Sequence, residues 1–208
     1  MIALLDYGVG NLQSLERAFA AVGAEARPVR DVAALDGARA VVLPGVGHFQ
    51  EAMDNLREGG LIEPLQRKVM GEGLPLMGMC LGMQLLMRRS DESGAEGLGW
   101  LNGEVRSLRT AYPDTALKIP HIGWNTVTAS PGSKLFAGVP AVASYYFAHS
   151  YAVLELEDAA ATATAIYGVP FIASVEKDNL FATQFHPEKS HQNGIHLLRN
   201  FMSHVVLR

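Results

Sequence analysis

The sequence predicts an α/β fold: a mainly parallel central sheet flanked by helices, with an antiparallel β extension. Three observations predict it. In the first half, short apolar runs alternate with segments of helical period in the order β-α-β-β-α-β. In the second half the pattern changes to closely spaced β-rich runs separated by turns. The chain has 208 residues, 49% of them hydrophobic, enough for one substantial core. With no repeat, low-complexity tract or linker in between, residues 1–208 are expected to form a single domain.

Ile2–Leu5 is an apolar run, broken by Asp6-Tyr7-Gly8-Val9-Gly10-Asn11. Residues 12–22 have helical spacing, with Leu12, Leu15, Phe19 and Val22 on one face. Residues 24–29 predict a second strand. Ala40–Leu43 predicts a third, ended by Pro44-Gly45-Val46-Gly47. Helices are expected over 49–57 and 61–71, then a strand over 74–79 and a helix over 81–88. Beyond a polar surface loop at 90–97, strands are expected over 105–108, 125–128, 143–151, 162–167, 171–175 and 180–184. A last helix over 194–206 presents Ile195, Leu198, Phe201, Met202 and Val205 on its apolar side. In such sheets ligands bind beyond the carboxyl ends of the parallel strands. Asp6, Gly45 to Gly47 and Cys80 all fall at such ends.

Composition narrows the function. A net charge of −4 with 18% charged residues offers no basic surface for nucleic acid or membranes. One cysteine permits no internal disulfide. The apolar start is too short for a signal peptide, and no apolar run nears the roughly 20 residues that span a bilayer. A cytoplasmic location is expected. The histidines are scattered without zinc-type spacing, so neither a metal nor another cofactor is expected.

The lone Cys80 is the most informative residue. It sits in Gly78-Met79-Cys80-Leu81-Gly82, between a strand-like and a helix-like run. A strand turning sharply into a helix, with a nucleophile at the corner, is a nucleophile elbow. The glycines let the backbone turn without side chains in the way. The helix N-terminus favours thiolate, the reactive form. A buried core cysteine is the competing reading.

A cysteine nucleophile needs a base and a group to orient it. His186-Pro187-Glu188 supplies both at the end of a strand-like run, and strand alternation would put His186 and Glu188 on one side. The same tripeptide also reads as an ordinary first helical turn. An acyl-transfer site needs oxyanion donors. The Leu81 N–H, next after the nucleophile, is one candidate. The second is the Pro44-Gly45-Val46-Gly47 loop at a neighbouring strand end, which alternatively is only a tight turn.

These motifs converge on a family. Gly78-Met79-Cys80-Leu81-Gly82-Met83-Gln84 together with His186-Pro187-Glu188 resembles the class I, triad-type glutamine amidotransferases, whose domain has a flavodoxin-like arrangement. Five further blocks resemble one branch, the glutaminase subunits of imidazole glycerol phosphate synthase. They are Asp6 to Asn11, Pro44 to Phe49, Pro120-His121-Ile122-Gly123-Trp124-Asn125, Tyr145 to Tyr151 and Gln184 to Ser190. The blocks run from residue 6 to residue 190.

The resemblance implies that Cys80 attacks the side-chain amide of L-glutamine, that His186, held by Glu188, moves the protons, and that a thioester is hydrolysed to glutamate. It implies that Gly47, Gln84, Ser150 and Tyr151 bind the substrate, Gln84 at its α-amino/α-carboxyl end. It also implies that Val46 and Leu81 serve the oxyanion, and that Asn11, Trp124, Tyr146 and Lys189 lie at or near the surface for a partner. That partner is a separate (β/α)8 cyclase subunit, which takes the ammonia and forms imidazole glycerol phosphate and an aminoimidazole carboxamide ribonucleotide in histidine synthesis. From the residues alone, Gln84 also reads as a helix-surface glutamine, and Trp124 and Tyr146 as core aromatics. A glutaminase of another synthase (anthranilate or pyridoxal phosphate type), a non-catalytic interaction subunit and a cysteine peptidase remain alternatives.

Overall fold

The structure, a computed structural model, describes residues 1–111, 113, 117–157 and 161–203. The strands are β1 Ile2–Leu5, β2 Ala26–Val29, β3 Ala40–Leu43, β4 Leu76–Met79, β5 Arg89–Ser90, β6 Gly103–Ser107, β7 His121–Ala129, β8 Val142–His149, β9 Tyr151–Leu156, β10 Ala161–Tyr167, β11 Val169–Lys177 and β12 Leu180–Thr183. The helices are α1 Leu12–Ala20, α2 Phe49–Glu58, α3 Ile62–Gln66, α4 Leu81–Leu85, α5 Leu108–Ala111 and α6 His191–Phe201. Among the described residues a nine-stranded sheet runs β2-β1-β3-β4-β12-β11-β10-β7-β8. Neighbours from β2 to β12 are parallel, and those from β12 to β8 antiparallel. A smaller sheet, β5-β6-β9, lies apart from it in hydrogen bonding.

The inner parallel strands β1, β3 and β4 are short and wholly apolar because both faces are covered, whereas the edge strand β2 carries Arg27 and is partly exposed. Ile2, Leu4, Ala40 and Val42 face one core, which takes Leu15 and Phe19 of α1 and Leu197 and Phe201 of α6. Ala3, Leu5, Val41 and Leu43 face the other, which takes Phe49, Met53 and Leu56 of α2 and Leu65 of α3. Each fully buried Val, Leu, Ile, Met or Phe among them contributes roughly 1.5–3 kcal/mol. The predicted fold class is the one observed. No helix among the described residues is long and apolar enough to cross a membrane.

Several local expectations differ. The run 143–151 is not one strand: the chain leaves the large sheet at Ser150 and continues in the small one as β9. The helix after Cys80 ends at Leu85, not at 88. Helix 61–71 winds as α-helix only through Gln66 and then as a π-helical turn over Arg67–Gly71. The loop 90–97 is not merely surface, since Ser90 belongs to β5 and is buried. The last helix starts at His191; its expected end at 206, with Val205, lies outside the described residues.

Candidate active site

Because β1, β3, β4 and β12 run in parallel, their carboxyl ends share one edge of the sheet. β4 lies between β3 and β12, so the turn after β4 faces the Pro44–Gly47 loop on one side and residues 184–189 on the other. Cys80 occupies that turn with φ 53° and ψ −107°. Positive φ is rare for a residue with a side chain, and such strain costs about 1–3 kcal/mol. The glycines at its flanks are sterically required. A Cβ on Gly82 would stand 1.8 Å from the Leu43 carbonyl oxygen, and one on Gly78 would stand 2.9 Å from that of Gly82. The Cys80 N–H donates to Thr183 O at 2.8 Å, tying the elbow to β12.

Beyond Thr183 the chain reaches His186, whose Nδ1 lies 2.8 Å from Glu188 Oε1. Pro187–Lys189 is a 3-10 turn, so a tight turn rather than strand alternation brings these two side chains together. The turn is pinned to β8: the His186 N–H donates to Tyr146 O at 2.9 Å, the Tyr146 N–H to Ser190 Oγ at 3.0 Å, and that hydroxyl to His186 O at 2.6 Å. Burial alone would lower the His186 pKa. Cys80 and the Glu188 carboxylate beside it outweigh burial and push the value up to about 10.

Cys80 and His186 open on a cleft of about 370 Å³. Val46, Gly47, Leu81, Gln84, Ser150, Tyr151 and Lys189 also line it, so the expected substrate and oxyanion residues meet around the sulfur. Gly47 has φ 108°, open to glycine and strained for other residues. The Leu81 N–H points at Gly45 O at 3.4 Å, a long bond that an oxyanion would compete with. Gln84 is buried rather than on a helix surface. Its Nε2 donates to Tyr151 O at 2.9 Å and to Gln184 Oε1 at 3.0 Å. Both amide protons are thereby used, which leaves Oε1, an acceptor, for a ligand.

Asn11 caps α1 by accepting from the Ser14 N–H at 3.2 Å and does not line the cleft. Trp124 is 49% exposed and stacks flat on His191, 5.0 Å between centroids, so it is no core aromatic. Tyr146 meets the Trp124 ring edgewise, and Lys189 Nζ sits 5.9 Å over the Tyr146 ring. Ile122, 62% exposed, stands two residues before Trp124 on the same side of β7, and Val46 is 43% exposed at the cleft.

Sequence reasoning missed three residues here. Glu92 comes from the 90–97 loop into the cleft, accepts from the Phe49 N–H at 2.6 Å and pairs with His48 Nδ1 at 3.1 Å. Its position twelve residues past Cys80 carries no motif. His191 was assigned to no surface. Gln184, fully buried, directs Nε2 at Cys80 Sγ, 3.7 Å away.

Residues 3–205 match the family described as glutamine amidotransferase class-I. The chain is 45% identical over 203 residues, 97% of this chain and 99% of the relative, to imidazole glycerol phosphate synthase subunit HisH 1 of Campylobacter jejuni strain RM1221. It is 42% identical over 201 residues to subunit HisH of the same synthase in Moorella thermoacetica, covering 96% and 93% of the two chains. A crystal structure of a glutamine amidotransferase superposes with a TM-score of 0.75 at 21% identity over 97% of this chain and 96% of that one, a likeness of fold.

Proposed function

The chain belongs to the class I glutamine amidotransferase family, and from that premise we propose that it is the glutaminase subunit of an imidazole glycerol phosphate synthase, acting in the cytoplasm in histidine synthesis. The observation that carries the reading is the convergence of Cys80, His186 and Glu188 at a cleft lined by Gly47, Gln84, Ser150 and Tyr151. Relatives alike over nearly their whole length, named as subunits of that synthase, support it.

The proton rests on His186, favoured by Glu188 behind it and the sulfur before it. The Cys80 sulfur adds to the side-chain amide carbon of glutamine. The carbonyl oxygen becomes an oxyanion, met by the Leu81 N–H and by the Val46 peptide once it turns inward. The C–N bond breaks, His186 gives its proton to the departing nitrogen, and ammonia leaves with a glutamyl thioester behind. His186 then takes a proton from water, whose oxygen adds to the thioester carbon. The C–S bond breaks with its electron pair on sulfur, and glutamate is released. At the other end of the substrate, the Gln84 Oε1 acceptor and the Glu92 carboxylate suit an α-ammonium group.

The partner in this reading is a separate (β/α)8 cyclase subunit that receives the ammonia. Trp124, Tyr146, Lys189 and Asn11 contribute to its docking surface, and exposed Ile122 adjoins Trp124 on β7. Residues 1–208 act as one domain, a reading supported by a single sheet that takes strands from Ile2 to Thr183.

The test is the Cys80→Ala variant assayed with the cyclase subunit. Glutamine-dependent synthesis should vanish, while synthesis from ammonium salts and binding to the cyclase persist. Wild-type synthesis from glutamine in the variant would remove Cys80 from the chemistry.

A further inference from the structure

We propose that Gln184 is a further residue of the reaction centre, donating a hydrogen bond from Nε2 to the Cys80 sulfur, with its amide held in that sense by a polarised chain of hydrogen bonds that starts on β7.

The direction of the chain follows from donors and acceptors alone. The Tyr151 carbonyl can only accept, and two groups reach it: His149 Nδ1 at 2.8 Å and Gln84 Nε2 at 2.9 Å. His149 therefore carries its proton on Nδ1. Burial holds it neutral, its pKa lowered to about 3, so Nε2 accepts. The neighbour of that Nε2 is His121 Nδ1, 2.9 Å away, which must donate. His121, also held neutral by burial with a pKa lowered to about 4, then accepts at Nε2 from Asn125 Nδ2 at 3.3 Å. The other proton of that amide goes to Ile166 O at 2.9 Å. His121 is kept in plane by Phe147 and Tyr167, stacked at 4.9 and 4.0 Å.

On the far side of Tyr151 the same logic fixes both glutamines. Gln84 must turn Nε2 toward the carbonyl, and its second proton goes to Gln184 at 3.0 Å, so Oε1 of Gln184 is the atom facing Gln84. Nε2 of Gln184 is left facing Sγ at 3.7 Å. An amide flip at Gln184 would set two N–H groups against each other beside Gln84 and two acceptors at the sulfur. Gln184 is fully buried, so water cannot relieve that mismatch. Cys80 acts electrostatically on His186 and Tyr7, the titratable groups beside it. Gln184 adds a neutral donor that stays in place whatever their charge.

This deepens the glutaminase reading and rests on it for the chemical step. A donor on the sulfur favours the thiolate before attack. It also helps the thiolate leave when the C–S bond of the thioester breaks and the electron pair returns to sulfur. The test itself needs no turnover. Cys80 is the only cysteine, so the pH profile of its alkylation by iodoacetamide reads its thiolate directly. Gln184→Met, similar in size but without the donor, should move the midpoint of that profile up by about one pH unit, the scale of one hydrogen bond to a charged group. Gln184→Glu, which sets a carboxylate against the sulfur, should move it further while leaving the far-ultraviolet spectrum native. Wild-type midpoints in both folded variants would overturn the proposal and leave the glutaminase reading standing. Should the variants not fold, a crystal structure of the wild-type chain decides: Nε2 within about 4 Å of Sγ supports the assignment, and Gln184 bonded elsewhere overturns it.

Discussion

Glu188 meets His186 with one carboxylate oxygen only: Oε1 lies 2.8 Å from Nδ1, while Oε2 is buried without a hydrogen-bond partner among the described residues. An unpartnered carboxylate oxygen is costly in a site this dry. The arrangement is best offset when the imidazole beside it is protonated, which matches the raised pKa of His186.

That relationship predicts a pH dependence of stability. The folded chain holds the His186 proton more tightly than the unfolded chain, whose value is near 6.5. The stabilisation is complete below about pH 6.5 and is lost as pH rises through about 10. Glu188→Gln removes one of the raising influences. Urea midpoints measured at pH 6 and pH 10.5 should therefore differ less for the variant than for wild type. An equal difference would mean that Glu188 does not hold the proton.

Strain at the nucleophile predicts a trade of stability for function. Cys80 pays for φ 53° with a conformation that glycine adopts freely. Cys80→Gly should be more stable than Cys80→Ala by about 1 kcal/mol in urea unfolding, after the extra freedom glycine gives the unfolded chain. Neither variant should release glutamate. A Cys80→Gly chain less stable than Cys80→Ala would show that the elbow is unstrained.

Glu92 predicts a binding effect. Glu92→Gln keeps an acceptor for the Phe49 N–H and removes the charge from the cleft. KM for glutamine should rise about tenfold, the equivalent of roughly 1.4 kcal/mol, with little change in kcat. A fall in kcat at unchanged KM would instead put Glu92 in the chemical step.

Trp124 predicts a docking effect. Its ring is half exposed against His191, so Trp124→Ala should shift unfolding by less than about 1 kcal/mol. At a buried interface centre, loss of a tryptophan costs about 2 kcal/mol or more. The Kd for the cyclase subunit, read by calorimetry, should weaken accordingly, and an unchanged Kd would move the docking surface elsewhere.

What the sequence discloses depends on how local the cause is. β1 and β3 match their predicted bounds because four apolar residues between turn signals are buried on both faces. Cys80 was legible because both glycines that the turn requires stand within two residues of it in the sequence, although Leu43, far along the chain, is what demands the second. The break at Ser150 was not, since β-rich composition runs on while the chain changes sheets. His186 and Glu188 were found for a reason that proved geometrically different, a 3-10 turn instead of a strand. Glu92 had no signature and Gln184 stood in a family block without a role, because each acquires its role from a partner far along the chain: His48 and Phe49 for one, Cys80 and Gln84 for the other.

Glutamine hydrolysis on behalf of a partner synthase is read in one assay, glutamate release from L-glutamine by the chain alone and with the barrel cyclase and its nucleotide ligand. Release should be slow for the chain alone and strongly accelerated when both are added. Fast release without them, or none with them, would contradict the glutaminase reading.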